Sequence, residues 1–330
     1  MSNDYKTVEP QITYKLNNGL EIPAFGLGTW KSKPGQVEEA VTVALKAGYR
    51  HIDCAEAYGN HAEVGKAFAK VFSEGKVKRK DVWITSKLNN DKHDPAGVQK
   101  TCKQTLSDLQ LDYLDLYLMH WPLVAGQKGP KVDPPVKDTW QAMEKLVDEG
   151  LVKSIGISNF SVPKTKELQS YARIKPVVNQ VEIHPFWRND KLWEYAQSSK
   201  SIHLTAYSPL ASPDSAEAMG NTEQPSLLED PTVVEIAKKL GKSPGQVLVR
   251  YAIQHGTSVI PKSVTPSRIQ SNIEVLKFEL PEEDYKKLNS LKFQRRYLDG
   301  ASVAGFNPVG PYKNADELWD GEVPAEQSGK

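Results

Sequence analysis

The chain has 330 residues, of which 39% are hydrophobic and 25% are charged, a balance typical of a globular protein with a large core. The formal net charge is only +1, so no overall field favours nucleic acid or an anionic membrane, and any anion site must be local. The two cysteines and the lack of an apolar N-terminal signal region argue against a secreted disulfide framework. The longest apolar runs are too short for a membrane helix, and we expect a soluble, cytoplasmic protein.

Short β-branched segments alternate with amphipathic segments along most of the chain. Before them, Asn17-Asn18-Gly19 lies between two stretches of alternating polarity, which predicts an N-terminal β-hairpin. The predicted strands that follow cover residues 26–28, 50–53, 82–86, 113–119, 152–157, 177–181, 202–207 and 258–260. The predicted helices cover residues 36–46, 62–72, 95–109, 138–149, 163–171, 191–198, 232–240 and 244–254, with one more starting at 266.

Eight strand and helix units in strict alternation predict a parallel sheet and a (β/α)8 TIM barrel, with extra helices, forming one domain over residues 1–330. An open doubly wound sheet is the alternative architecture. The sequence lacks the G-x-G-x-x-G and G-x-x-x-x-G-K-[ST] motifs that would favour such a sheet. Residues 291–330 show no clear periodicity, so we predict a long C-terminal loop over the barrel mouth, without a strand and frayed at its end.

Four polar side chains follow neighbouring strands at the barrel end where active sites lie. Asp53 closes the second predicted strand, Tyr58 lies in the loop after it, Lys87 closes the third strand and His120 closes the fourth. A cation beside Tyr58 would lower the pKa of its phenol from about 10 and favour proton donation, with Asp53 holding Lys87 in place. Each residue alone could have a structural role, but their joint placement predicts a catalytic set.

A metal site is the rival chemical interpretation, because strand-end positions supply possible ligands in His51, Asp53, Glu56, Glu182 and His184. The sequence has no H-x-H or H-E-x-x-H pattern, which would make a metal site specific. We therefore predict no metal, and we expect Glu182 and His184 to frame the turn that follows them.

A second set of side chains follows the later strands and suits a flat, amphiphilic cofactor. Ser158 and Asn159 end the fifth strand and Gln180 ends the sixth, so hydroxyl and amide groups are available to bind a carboxamide. Tyr207 ends the seventh strand and offers a stacking face. The interpretation is a cofactor site that extends across the barrel rim.

After the eighth strand, the segment PKSVTPSR at 261–268 gathers two cations and several hydroxyl groups. Thr265 can cap a helix that begins at Pro266. The helix start, Lys262 and Arg268 together predict a phosphate site at the barrel position where phosphates commonly bind. The alternative is a solvated basic turn.

These residues stand within phrases that resemble those of the aldo-keto reductase family. The matching phrases are GLGTW at 26–30, GYRHIDCAEAYGN at 48–60, LMHWP at 118–122, GISNF at 156–160, NQVEIHP at 179–185, AYSPL at 206–210, and IPKS at 260–263 with Arg268 and Asn272. The resemblance extends from Tyr14 to Leu291, and several of the motifs are long and specific.

The resemblance implies a carbonyl reductase that uses NADPH/NADP+ and acts on a small-molecule aldehyde or ketone. It implies that Tyr58 is the general acid, that Lys87 and Asp53 tune it, and that His120 positions the substrate carbonyl. Trp30, Asn89, His120 and Trp121 would contact the substrate. The cofactor-binding set that it implies is Gly28, Thr29, Trp30, Asp53, Ser158, Asn159, Gln180, Tyr207, Ser208, Leu210, Lys262, Ser263, Val264, Thr265, Arg268 and Asn272.

Within that set, Tyr207 would stack on the nicotinamide ring, and Lys262, Ser263 and Arg268 would hold the 2′-phosphate of NADPH. Two positions depart from the family pattern. Asn89 stands where relatives often place Trp, which makes polar substrates more compatible with the pocket, and Ser271 stands where relatives often carry Glu beside the adenine.

The resemblance also suggests a monomer, while the balanced charge and the short apolar runs predict no nucleic-acid or membrane partner. Substrate choice is expected to depend on the loops at 122–137, 209–230 and 291–330. Because fold does not fix function, two alternatives stay open: a barrel that senses a cofactor or serves as a structural protein without catalysis, and a metal-dependent barrel hydrolase.

Overall fold

A computed structural model describes residues 5–6, 11–211 and 225–324. Its strands are β1 (Thr13–Lys15), β2 (Glu21–Pro23), β3 (Leu27–Gly28), β4 (His51–Asp53), β5 (Trp83–Leu88), β6 (Leu116–Met119), β7 (Ile155–Ser158), β8 (Val178–Glu182), β9 (His203–Tyr207) and β10 (Ser258–Val259). Its α-helices are Val37–Ala47, His61–Ser73, Pro95–Leu109, Val136–Asp148, Val162–Tyr171, Asp190–Ser199, Pro231–Leu240, Pro244–Gln254, Pro266–Asn272, Glu282–Asn289, Ala301–Ala304 and Ala315–Leu318. Single 3₁₀ turns are Glu56–Tyr58, Arg79–Asp81, Leu227–Glu229 and Ile273–Lys277.

The N-terminal hairpin forms where the turn sequence predicts it. β1 and β2 pair antiparallel with Tyr14 opposite Ile22, and Gly19 in the turn has a φ of 86°, which favours glycine. Leu16 and Ile22 of the hairpin pack with apolar side chains at the starts of β5, β6 and β8. The hairpin therefore covers the amino ends of these strands, and the opposite end of the sheet carries the site.

Strands β3 to β10 form one parallel sheet in chain order. Its two edges also meet, because Phe25 pairs with Val259 and Gly28 pairs with Lys262. The Gly26 N–H donates to the Val259 carbonyl at 2.9 Å. A Cβ on Gly28 would lie 2.8 Å from the Ile260 carbonyl oxygen, so glycine is needed at this junction. The closed parallel sheet with helices between its strands confirms the predicted (β/α)8 fold.

Two helix starts along the barrel show side-chain caps of ordinary chemistry. Ser243 and Gln246 form a reciprocal capping box at the helix that Pro244 begins, and Ser161 caps the helix that follows β7. The apolar faces of the helices pack on strand residues that are almost all buried, and this layer forms the main core. The rigid sheet fixes where each strand ends, and thereby positions the side chains at the rim.

Two features of the C-terminal part differ from the sequence prediction. Glu282–Asn289 is a helix that the prediction omitted, although its acidic first turn and basic last turn complement the helix dipole. The tail contains two short helices, Ala301–Ala304 and Ala315–Leu318, and no strand crosses its described residues up to 324. The predicted frayed end at 325–330 and residues 212–224 of the predicted specificity loop lie outside the described residues. Across the ranges that the structure describes, no helix is long and apolar enough to span a membrane.

Candidate active site

A cavity of about 630 Å³ lies at the carboxyl ends of the barrel strands. It brings together side chains that are far apart in sequence, as expected at this end of a barrel. The predicted site residues that line it are Gly28, Thr29, Trp30, Asp53, Tyr58, Asn89, His120, Trp121, Ser158, Asn159, Gln180, Tyr207, Ser208, Leu210, Lys262 and Arg268. The cavity is large enough for a small-molecule ligand.

Lys87 lies beneath the cavity and connects the groups around it. Its Nζ donates to Asp53 Oδ1 at 2.5 Å, to the Cys54 carbonyl at 2.8 Å and to the Tyr58 hydroxyl at 3.1 Å. The side chains of Lys87 and Asp53 are only 1% and 2% exposed. Because the three bonds use all three ammonium hydrogens, Lys87 has no donor left for a further ligand, and its position is fixed.

The pKa of Tyr58 shifts in the direction opposite to the sequence prediction. Burial, followed by the negative charge of Asp53, raises the pKa of Tyr58 well above its usual value. The predicted lowering of the Tyr58 pKa by Lys87 is wrong for this structure, because burial and the Asp53 charge favour the neutral phenol. The phenol therefore stays protonated at neutral pH, which is the state that a proton donor requires.

His120 lies beside Tyr58 at the cavity. The rings of Tyr58 and His120 meet edge to face with their centroids 6.1 Å apart. The ring centroids of Trp30 and Tyr58 are 6.5 Å apart. Burial, followed by the nearby charges of Lys87 and His93, lowers the pKa of His120 well below its usual value. The imidazole is therefore neutral at physiological pH and can donate one hydrogen bond from its protonated nitrogen.

The predicted carboxamide-binding residues form one network with the residues around Tyr58. Gln180 Nε2 donates to Asp53 Oδ2 at 2.7 Å, and Ser158 Oγ donates to the Gln180 carbonyl at 2.7 Å. Asn159 Nδ2 donates to the His120 carbonyl at 3.0 Å, and the Tyr207 hydroxyl donates to Asn159 Oδ1 at 2.7 Å. Much of the polar surface predicted to face a ligand is thus paired within the protein, which holds these side chains in place.

The basic turn after β10 has a different character. Lys262 and Arg268 line the cavity, and neither forms an ion pair with a carboxylate of the described residues. The helix begins at Pro266 with Thr265 at its N-cap position, as predicted, but the Thr265 side chain forms no capping hydrogen bond. The Thr265 hydroxyl instead accepts a bond from Arg268 Nη2 at 2.7 Å, because the guanidinium reaches it from one turn further along.

Four predicted cofactor residues lie outside the cavity lining: Ser263, Val264, Thr265 and Asn272. They belong to the same turn and helix as Lys262 and Arg268. Ser263 Oγ accepts the Thr265 N–H at 3.2 Å, which helps to shape the turn. These residues extend the basic turn beyond the edge of the cavity.

Other cavity residues were not among the predicted site residues, and they fall into two groups. One group adjoins motifs that the sequence analysis used, and these neighbours could have been found by extending each motif: Lys31, Ala57, Asn90, Pro209, Ile260 and Pro261. The other group comes from segments without readable periodicity: Ala125, Leu228, Leu298, Ser302 and Val303. Only the general expectation that these loops influence specificity pointed to the second group.

Three of the side chains considered as metal ligands, Asp53, Glu182 and His184, are engaged with protein partners. Asp53 is held by Lys87 and Gln180, and Glu182 Oε1 accepts a bond from His184 Nε2 at 2.8 Å. In the portions of the chain with described positions, no three His, Cys, Asp or Glu side chains are grouped so that they could hold a metal ion. The metal interpretation gains no support from these side chains.

Comparisons with known proteins agree with this geometry. The model of the Aldo/keto reductase family matches residues 24–292. The chain is 45% identical to aldo-keto reductase family 4 member C11 of Arabidopsis thaliana, covering 94% of this chain and 98% of that protein. It is 48% identical to aldo-keto reductase family 1 member A1 of Gallus gallus, covering 89% and 93%.

Among solved structures, the aldose reductase from Schistosoma japonicum aligns with a TM-score of 0.80 and 44% identity, covering 91% of this chain and 98% of that chain. Aldo-keto reductases are oxidoreductases that act on carbonyl groups and generally use nicotinamide cofactors. The fold, the family match and these relatives lead to one conclusion: the chain belongs to the aldo/keto reductase family.

Proposed function

We propose that this protein reduces aldehydes or ketones to alcohols with NADPH, and that Tyr58 is the proton donor. The observation that carries the proposal is the bonding of the buried Lys87 ammonium to both Asp53 and Tyr58 at the floor of the cavity. A protonated phenol beside a fixed cation is suited to deliver a proton to an oxygen that becomes negative during reduction.

The cavity also has groups that fit a nicotinamide cofactor. Lys262 and Arg268 are cations without carboxylate partners among the described residues, as a phosphate site requires. The ring of Tyr207 lines the cavity and is held by its bond to Asn159, so it can offer a fixed stacking face. When bound, the reduced nicotinamide supplies the hydride.

Tyr58 and His120 have complementary tasks at the carbonyl oxygen. Both line the cavity with their ring centroids 6.1 Å apart, and we propose that one carbonyl oxygen accepts a bond from each of them. Neutral His120 donates a hydrogen bond that orients the carbonyl, and Tyr58 donates the proton. Lys87 stabilises the negative charge that Tyr58 gains as the proton leaves, and Asp53 keeps Lys87 in position.

The two cations also indicate which nicotinamide cofactor is used. Only NADPH carries a 2′-phosphate, and hydrogen bonds between charged groups are the strong ones in proteins. We propose that Lys262 and Arg268, with the nearby Ser263, bind this phosphate. This assignment makes NADPH the preferred cofactor over NADH.

The substrate end of the cavity combines flat aromatic walls with amide groups. Trp30 and Trp121 provide the aromatic surface, and Asn89 and Asn90 lie beside them. Asn89 Oδ1 accepts the Asn90 N–H at 2.9 Å, which orients the Asn89 side chain. Since its Nδ2 has no hydrogen-bond partner among the described residues, it can donate to a substrate oxygen. We propose that hydroxylated carbonyl compounds are well tolerated here.

A direct assay tests the proposed function. The protein is mixed with NADPH and a panel of aldoses, short aliphatic aldehydes and aromatic aldehydes, and the absorbance of the reduced nicotinamide is followed. We expect oxidation of NADPH that depends on both protein and aldehyde. No oxidation across the whole panel would contradict the proposal and favour a barrel without catalytic activity.

A further inference from the structure

Part of the cavity wall comes from the C-terminal tail, through Leu298, Ser302 and Val303. The sequence gives no regular element at Leu298, and the structure places it outside any helix or strand. A side chain on an irregular segment can define a binding site only if other contacts fix its backbone. The contacts of residues 296–298 show how this is achieved.

Glu182, at the carboxyl end of β8, holds the backbone at this point. Its Oε1 accepts the N–H of Tyr297 at 3.0 Å, and its Oε2 accepts the N–H of Leu298 at 2.8 Å. His184 Nε2 adds a third bond to Oε1 at 2.8 Å. The Glu182 side chain is fully buried, and a buried carboxylate is costly unless such bonds satisfy it. Releasing the tail would therefore leave this charge with His184 alone.

The preceding tail residue is anchored as well. The Arg296 guanidinium is completely buried, 3.4 Å from the ring centre of Trp319 and 4.6 Å from that of Trp187. Its Nη2 donates to the Glu322 carbonyl at 3.2 Å. Arg296 thus connects two parts of the tail with each other and with the loop after β8. Glu182 connects the tail directly to β8.

Glu182 lies where it can hold the tail in a fixed position relative to the barrel strands. It lies two residues beyond Gln180 on the same strand and opposite Tyr207 in the strand register. Glu182 itself is not among the cavity-lining residues, whereas Gln180, Tyr207 and Leu298 are. The carboxylate therefore connects the strands that carry the proposed cofactor site with the tail that completes the cavity wall.

We infer that Glu182 is a positioning residue that holds Tyr297 and Leu298 against the cavity and so determines which substrates fit. It acts through Leu298 and touches neither substrate nor cofactor. The inference rests on the proposed reductase function for its kinetic consequences, while the anchoring of the tail can be measured without any substrate.

Glu144 provides a matched control. It is a buried glutamate whose Oε1 accepts two successive backbone N–H groups, from Arg173 at 2.7 Å and from Ile174 at 2.9 Å. Neither Glu144 nor the segment that it holds lines the cavity. Glu144→Gln therefore removes the charge of a buried carboxylate that anchors the backbone, without disturbing the substrate site, while its amide oxygen can still accept both N–H groups.

The experiment compares Glu182→Gln, Glu144→Gln, Leu298→Ala and the double variant Glu182→Gln/Leu298→Ala. Because the N–H groups of Tyr297 and Leu298 bond to different oxygens of Glu182, the single amide oxygen of Glu182→Gln can keep only one of these charge-assisted bonds. Amide exchange at Tyr297 and Leu298 should become about tenfold faster in Glu182→Gln and remain unchanged in Glu144→Gln. The kcat/KM ratio of a bulky aromatic aldehyde to a short aliphatic aldehyde should shift by about tenfold, mainly through KM.

In the Leu298→Ala background, Glu182→Gln should change this ratio no further, because the side chain through which it acts is gone. The inference is overturned if Glu182→Gln alters specificity no more than Glu144→Gln, or if it lowers NADPH affinity and activity on all substrates equally. If Glu182→Gln does not fold, Glu182→Asp keeps the charge, shortens its reach and supports the same comparison. If the wild-type protein lacks reductase activity, the proposed function fails, while amide exchange still tests the anchor.

Discussion

The rim around β4, β5 and β6 and the basic turn after β10 differ in whether their cations have partners within the protein. At the rim, the Lys87 ammonium is buried, and its three hydrogens bond to Asp53, the Cys54 carbonyl and Tyr58. At the turn, Lys262 and Arg268 line the cavity without a carboxylate partner among the described residues. One region is closed within the protein, and the other is open to an anion.

This difference separates two tasks, stabilising a transition state and binding an anion. Dipoles and charges that are already fixed can stabilise a transition state without reorganising during the reaction. Cations that bind a phosphate must instead lack a carboxylate partner in the protein. They therefore repel each other when no ligand is present. This division agrees with the proposed proton-donating role of the rim and the proposed phosphate-binding role of the turn.

The largest expected effect comes from removing the proton donor of the rim. Tyr58→Phe should lower kcat by a factor on the order of 10² to 10⁴, or more if a donor to the oxyanion is lost too. The dissociation constant for NADPH should change little, because the basic turn is untouched. Steady-state kinetics and a cofactor titration check both expectations, and near wild-type turnover would show that another group donates the proton.

The same substitution at the two sites should have unequal effects on stability. Lys87→Met leaves Asp53 as a buried charge without its cation, which should cost about 3 to 5 kcal/mol of the free energy of unfolding. Lys262→Met removes a cation with no carboxylate partner and should change this free energy by less than about 0.5 kcal/mol. Denaturant unfolding of both variants measures the difference. Similar losses in the free energy of unfolding would contradict the contrast between the two regions.

Arg268→Ala tests the open region. It should raise the dissociation constant for NADPH by about 10- to 100-fold, since one charge-assisted bond is worth about 1.5 to 3 kcal/mol. NADH lacks the 2′-phosphate and should bind almost as before. Added salt should weaken NADPH binding more than NADH binding. Fluorescence titrations measure the dissociation constants of both cofactors. Equal losses of affinity for NADPH and NADH would place the 2′-phosphate elsewhere.

Asn89→Trp changes the substrate wall and leaves both charged regions intact. The ratio of kcat/KM for an aldose to that for a benzaldehyde-type substrate should fall roughly tenfold, because one pocket contact is worth about 1 to 3 kcal/mol. Parallel assays on the two substrates give the ratio. An unchanged ratio would assign specificity to the loops alone.

The smallest expected effect is that of chelation. If the Lys87 ammonium supplies the cation at the rim, prolonged treatment with EDTA should leave turnover unchanged. Activity before and after dialysis is the measurement. Loss of activity that a divalent ion restores would assign the cationic role to a metal instead of Lys87.

Much of the fold and of the proposed site could be predicted because the relevant signals are local. Alternation of strands and helices gives the barrel, and Asp53, Lys87 and His120 are found by reading where each strand ends. Three features depend on tertiary packing and could not be read in this way. Burial reverses the expected pKa shift of Tyr58, the Thr265 hydroxyl that was expected to cap a helix accepts a bond from Arg268, and Glu182 accepts the backbone N–H of Leu298 in the tail.

The most direct test of the central claim follows the hydride itself. The wild-type protein is incubated with an aromatic aldehyde and NADPH that carries deuterium at the transferable position of the nicotinamide ring, and the alcohol is examined by mass spectrometry and NMR. The account predicts one deuterium on the carbinol carbon, with the hydroxyl proton coming from solvent-exchangeable sites. An alcohol without carbon-bound deuterium, or no alcohol at all, would contradict it.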